Sequence, residues 1–159
     1  MKNLPTRGWM IAGLLAFISL GLYVIPASTH HSFAMYDQTK VLVLTGVAHQ
    51  FVAQANHAEL HFYLIGPDGK LTKDKDGKLE DWGVEMAGAA AMAQQGIMAT
   101  TFPAGTIFSV KMNPLREGSA FGSRAANSAI AKCPWKMPPA AGKTCDTVTG
   151  NELLGGTTF

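Results

Sequence analysis

Imidazoles are the side chains whose type and spacing invite chemistry in this chain. There are five, His30, His31, His49, His57 and His61. His30 and His31 closely follow an apolar N-terminal segment. Removal of that segment after Ala27 would leave Ser28-Thr29-His30 as the new N-terminus. A free amine, two backbone nitrogens and an imidazole in third position can surround a copper(II) or nickel(II) ion in a plane, a donor set and geometry that suit those two ions. Removal after Thr29 would make His30 the first residue, chelating through amine and ring. His57 and His61 fall on one face of a strand-like stretch, with Glu59 between them. Alternate strand positions lie about 7 Å apart, so the two histidines are about 13–14 Å from one another and cannot share an ion directly. Glu59 with either neighbour could hold one if a third ligand came from elsewhere. The metal candidates are thus His30, His31, His57, Glu59 and His61. The bland alternative for the last three is a solvated polar face. His49 shares its predicted strand face with Val47 and Phe51, where a lone histidine reads as a hydrogen-bonded core residue.

The remaining chemistry is sparse. The chain has no Gly-x-Ser-x-Gly, no His-Glu-x-x-His and no phosphate-cradling Gly loop. Asp37, Glu59, Asp81 and Glu85 are available acids, but spacing pairs none of them. No catalytic residue is assigned, and the expectation is a protein that is not an enzyme. Met35, Met86, Met92, Met98, Met112 and Met137 are scattered, which suits core filling. Cys133 and Cys145 are spaced for neither a Cys-x-x-Cys redox pair nor a four-cysteine zinc site. In an oxidising compartment an even count predicts one structural disulfide.

The elements that must position these residues begin with a targeting signal. Lys2 and Arg7 precede an uncharged run from Trp9 to Ile25, and Pro26-Ala27-Ser28-Thr29 follows. That order of basic, apolar and small residues predicts a secretory signal over 1–27. The alternative is an uncleaved inner-membrane anchor through residues 9–25, since the run is just short of the about 20 residues that span a bilayer. Either way the chain is expected in the periplasm or outside the cell. Export of 1–27 takes two of the 13 basic residues and none of the 11 acidic ones, so the mature charge is zero. No basic field remains for a phosphate backbone, and nucleic acid is not an expected partner.

Residues 28–40 read as an extended mature N-terminus, 41–132 as a β-domain and 133–159 as an irregular, disulfide-closed tail. Val41 to Gln54 is a long strand with Gly46 in its middle, where it can bulge and bend. Ala58, Leu60, Phe62 and Leu64 alternate with polar residues as a second strand. Gly66-Pro67-Asp68-Gly69 and Asp76-Gly77 bound an exposed hairpin tip, and Trp82, Val84 and Met86 mark a third strand. Ala87 to Gln95 is alanine-rich and predicts one short helix, with Gly96 as its stop. Thr106 to Met112 is a fourth strand and Ser119 to Lys132 a weaker fifth. The aromatics alternate into the core faces. Five strands with a helix after the third is the order of a small OB-like Greek-key barrel, and a mainly β fold of that kind is expected. A meander with a packed helix would give the same local signals.

His30-His31-Ser32-Phe33, followed closely by Asp37, resembles the start of a family of exported bacterial proteins of unknown function. Leu44-Thr45-Gly46-Val47, Trp82-Gly83-Val84-Glu85 and Asn113-Pro114-Leu115-Arg116-Glu117-Gly118 are similar to later segments of that family. Ala55-Asn56-His57-Ala58 lacks the proline usual there, and Pro103-Ala104-Gly105-Thr106 lacks the acid. The resemblance covers about residues 30 to 125 and leaves out the cysteine-bearing tail. It implies an exported β-barrel and supplies no activity.

The function expected from sequence is that of a non-catalytic exported barrel binding a divalent metal, copper, through its N-terminal histidines. The alternative is a structural or protein-interaction module of the cell envelope with incidental histidines. The intact mass of protein isolated from its natural host should lack residues 1–27. A mass that retains them would establish an anchor instead.

Overall fold

The computed structural model describes residues 34–159. The expected signal segment and the candidates His30 and His31 lie outside the described residues. Among the described residues no helix is long and apolar enough to cross a membrane.

One long strand organises the molecule. β1 (Leu42–Ala53) pairs antiparallel with β2 (His57–Ile65) over its C-terminal part. Its N-terminal half pairs with β4 (Ile107–Pro114). β3 (Asp81–Ala87) runs antiparallel to β2 and parallel to β5 (Phe121–Arg124). β5 pairs antiparallel with β4, which closes the circle β1-β2-β3-β5-β4-β1. This is the closed five-stranded, OB-like barrel expected from the element order. The helix α1 (Ala89–Gln94) follows β3, three residues shorter than predicted. It ends near Gly96, whose φ of 75° suits a residue without a side chain.

Period-two burial fills the barrel. Leu60 and Phe62 on β2, Val84 and Met86 on β3, and Phe108, Val110 and Met112 on β4 point inward. Met92 of α1 joins them with Ile97 and Phe102. Phe108 takes edge-to-face contacts from Phe62, at 5.1 Å, and from Phe102, at 5.5 Å. Gly46 sits where β1 has partners on both sides, Leu64 and Phe108. A Cβ there would overlap the Phe62 ring, so glycine admits the ring at the barrel's most crowded point. Of the methionines, Met86, Met92 and Met112 are core, whereas Met35, Met98 and Met137 are exposed.

Two expectations need correction. Ser119–Lys132 is not one strand. A turn with Asn127 at φ 58° divides it into β5 and β6 (Ile130–Lys132). β5 has only four residues, so the far half of β4 keeps a free edge, and β6 pairs there through Phe108 and Ser109. The tail is also less irregular than predicted, because β7 (Glu152–Leu154) pairs with β6.

Cys133 and Cys145 form the predicted disulfide, their Cα atoms 4.9 Å apart. They pack with Ala131, Ile107, Val148 and Phe159 in a small second core. A buried polar relay ties it to the barrel: Thr45 Oγ1 and Ser109 Oγ share a hydrogen bond of 2.7 Å, and the Cys145 N–H donates to Ser109 Oγ at 2.9 Å. Thiol labelling of the denatured, unreduced protein should find no free cysteine. Reduction should lower stability by about 2–4 kcal/mol, the usual worth of such a cross-link. Two labelled thiols per chain would contradict the pairing.

Candidate functional site

Side chains at His57, Glu59 and His61 alternate with buried Ala58, Leu60 and Phe62, so all three stand on the outer face of β2. Register then decides their neighbours. Glu59 lies directly opposite Glu85 of β3, and His61 lies opposite Gly83. His61 Nε2 is 3.0 Å from Glu59 Oε2, and His57 Nδ1 is 3.4 Å from Glu85 Oε1. Two carboxylates facing each other across a strand pair repel. Here each has an imidazole at its side. A Cβ at Gly83 would overlap the Phe121 ring, so glycine lets Phe121 lie over this face, 6.3 Å from the His61 ring. Phe121 is therefore an exception to the expectation that the aromatics fill the core.

His49 is also corrected. It is the extra residue of a β-bulge: Ala48 pairs with Phe62 and Gln50 with His61, leaving His49 unpaired in the ladder. The slip sends Phe51 inward against the core while His49 turns outward. Its ring stacks on Tyr63 at 4.5 Å, and Nε2 lies 2.8 Å from Asp81 Oδ1. It is a hydrogen-bonded histidine, as expected, but of the outer face rather than the core.

The acids that spacing left unpaired, Asp81 and Glu85, thus each meet a histidine. No three His, Cys, Asp or Glu side chains among the described residues converge tightly enough to hold a metal ion. Histidines 57 and 61 do not meet at one point, as their separation along the strand requires.

Tyr36 is the residue that sequence reasoning missed. The segment Ala34–Asp37 lies antiparallel to the end of β4 and the residues after it. Asp37 N–H donates to Pro114 O at 2.8 Å, Arg116 N–H donates to Met35 O at 2.9 Å, and Tyr36 bridges to Leu115. The turn into β1 is fixed by Asp37, whose carboxylate accepts from the Thr39 hydroxyl and amide and pairs with Lys40. Those contacts, the Thr39 hydroxyl first, hold its pKa down at about 2. Tyr36 is thereby pressed onto the face of β2 and β3 and is 1% exposed. Its hydroxyl is wholly buried and lies against the Glu85 carboxylate, without a well-aligned hydrogen bond. Burial first, then the charge of the Glu85 carboxylate and the hydroxyl's hydrogen-bond approach to it, and last the charge of Glu59, push the phenol pKa far above its ordinary 10. Tyr36, Glu59, Glu85, Phe121, Met35 and Leu115 line one open cavity of about 440 Å³, which Arg116 and Glu117 also border. No sequence signal marked Tyr36, because its place depends on a long-range bridge.

A family of unknown function, DUF6152, matches residues 19–124, and the chain belongs to that family. The match contains the barrel through β5 and the cavity, and stops before the disulfide tail. No curated protein matches the chain, and no solved structure does.

A buried hydroxyl without a well-aligned hydrogen bond costs about 1–3 kcal/mol. Tyr36→Phe should therefore leave stability at pH 7 unchanged or raise it by about 1 kcal/mol. The raised phenol pKa adds an alkaline signature. Above pH 10 the unfolded tyrosine ionises while the native one stays protonated, so the wild type loses stability as pH rises. Urea denaturation at pH 7 and pH 11 should show that the variant escapes that part of the loss. A Tyr36→Phe protein less stable by more than about 1 kcal/mol at pH 7 would mean that the hydroxyl is satisfied.

Proposed function

We propose that this DUF6152 member is an exported, non-catalytic binding protein of the cell envelope whose ligands are cations. The observation that carries this is the sign of the face of β2 and β3. Glu59 and Glu85 face each other there, and Asp81 continues the acidic line along β3. OB-type barrels commonly bind along strands 2 and 3. Those that take single-stranded nucleic acid do so with basic grooves and stacked aromatics, whereas an acidic face repels phosphates and attracts positive charge.

Within this reading a copper-class metal ion is assigned to His30 and His31. His49, His57 and His61 each stand beside a carboxylate, which favours their role in balancing the acidic face. The N-terminal pair, exposed as a new terminus by signal cleavage, offers amine and ring nitrogens in the planar arrangement copper(II) prefers over the tetrahedral cage of zinc. The interaction-module alternative draws on the disulfide loop, where Trp135 is 61% and Met137 51% exposed.

Calorimetric titration of the authentic mature protein should give one copper(II) per chain, bound more tightly than zinc. His30→Ala should weaken it at least tenfold. His49→Ala should leave copper affinity intact and cost stability, through loss of the Tyr63 stack and the Asp81 bond. Equal affinity in wild type and His30→Ala would remove the N-terminal site and favour the interaction module.

A further inference from the structure

We infer that the loop closed by Cys133 and Cys145 is a docking surface for an anionic lipid bilayer. The inference goes beyond the cation reading. It uses no residue of the face of β2 and β3 and does not depend on the N-terminal histidines.

The sequence of the loop sets its sign. Between Glu117 and Asp146 the chain has no acidic residue, and the loop itself carries Lys136 and Lys143. Neither lysine is in an ion pair among the described residues, whereas Lys132 at the base of the loop is held by Glu152. The apolar side chains at the tip do not enter the core. Trp135 is 61% and Met137 51% exposed, with exposed Lys136 between them. Folding ordinarily buries most of an indole. An exposed indole beside unpaired ammonium groups suits the boundary of a bilayer. The ring sits at the level of the headgroups with its N–H wet, and the lysine stems lie along apolar surface while their charges reach the phosphates.

The tip is also fixed before it docks. Pro134, Pro138 and Pro139 restrict its backbone. The Met137 N–H donates to Pro134 O at 3.0 Å, and the Lys143 N–H donates to Ala140 O at 2.9 Å. The first of these turns holds Lys136 at φ 58°, a value uncommon outside glycine. The edge of the Trp135 ring lies against Gly105, where an added Cβ would come within 3.5 Å of it. Little further ordering is needed on binding, which favours affinity from a small contact.

Size and charge select the occupant. A stable protein partner covers about 800 Å² and about 20–30 residues on each side. The exposed tip from Trp135 to Pro138 is far smaller than that. A bilayer asks only that a few side chains enter its headgroup layer, and its negative charge is spread over the whole surface, so two lysines meet it without a matched partner for each.

The probe is a vesicle of phosphatidylglycerol and phosphatidylcholine in equal parts, mixed with the mature protein at pH 7 and low salt. Cosedimentation gives the affinity, and tryptophan emission reports entry into the headgroup layer. The protein should bind these vesicles at least tenfold more tightly than vesicles of phosphatidylcholine alone, with a blue shift of the emission, and should be released as salt rises. Trp135→Ser should weaken binding at least tenfold and abolish the blue shift. Lys136→Asn combined with Lys143→Gln should also weaken it at least tenfold, because each lysine near an anionic surface contributes about fivefold. Asparagine tolerates the backbone conformation of Lys136, and both variants should keep the wild-type melting temperature. His30→Ala should bind the vesicles as the wild type does, so failure of the copper site and failure of this inference are read separately. Equal binding to both kinds of vesicle would make the loop merely apolar and overturn the inference. So would no binding to either, or wild-type affinity in both loop variants. Soluble polyglutamate bound as tightly as the anionic vesicles would identify an acidic protein as the partner and overturn the lipid assignment.

Discussion

The double duty of β1 is the constraint on which the rest depends. Thr45, Gly46 and Val47 have ladder partners on β2 and on β4 at once, and no other stretch among the described residues pairs with both of those strands. Three adjustments follow from it. Glycine at position 46 makes room for Phe62. The bulge at His49 adds the twist that lets the strand turn from one partner to the other. Thr45, buried between the pairings, spends its hydroxyl on Ser109 rather than leaving it unsatisfied. The bulge resets the alternation, so that Phe51 enters the core and His49 leaves it.

The same register that closes the barrel also sets a cost on its outer face. Directly opposed carboxylates are unfavourable in a strand pair, yet Glu59 and Glu85 are held so. Neighbouring imidazoles offset part of the repulsion, and the buried hydroxyl of Tyr36 is brought up against Glu85 in the same place. Local conflict of this kind, inside a barrel whose core is otherwise consistent, is concentrated on the outer face of β2 and β3.

Much of this architecture was legible in the sequence because it rests on local patterns. Ala58 to Leu64 alternates cleanly, the alanine run after β3 is helical, and the cysteines pair as an even count predicts. The order of elements alone pointed to the barrel. The candidate site was legible only in part. The face shared by His57, Glu59 and His61 follows from period two, but the meeting of Glu59 with Glu85 depends on register across the long connection between β2 and β3, which spacing does not determine. A bulge is a single extra residue with no composition of its own, so the environment of His49 was misjudged. Tyr36 was missed because its neighbours lie far along the chain. Ser119–Lys132 was misread because its division answers the unfilled edge of β4, a property of another strand.

That unfilled edge has a consequence for how the protein meets other chains. A closed barrel presents no strand edge, but β6 and β7 extend the sheet outward and create one. An unpaired edge is a template on which a second chain can add a strand. Here the exposed template is only three residues long, Glu152 is held across it by Lys132, and Gly155 at φ 71° turns the backbone away directly afterwards. The disulfide tail therefore shields the open side of β4 while offering newcomers almost nothing to zip onto, a defence against fibrous self-assembly placed where the barrel's own closure could not reach.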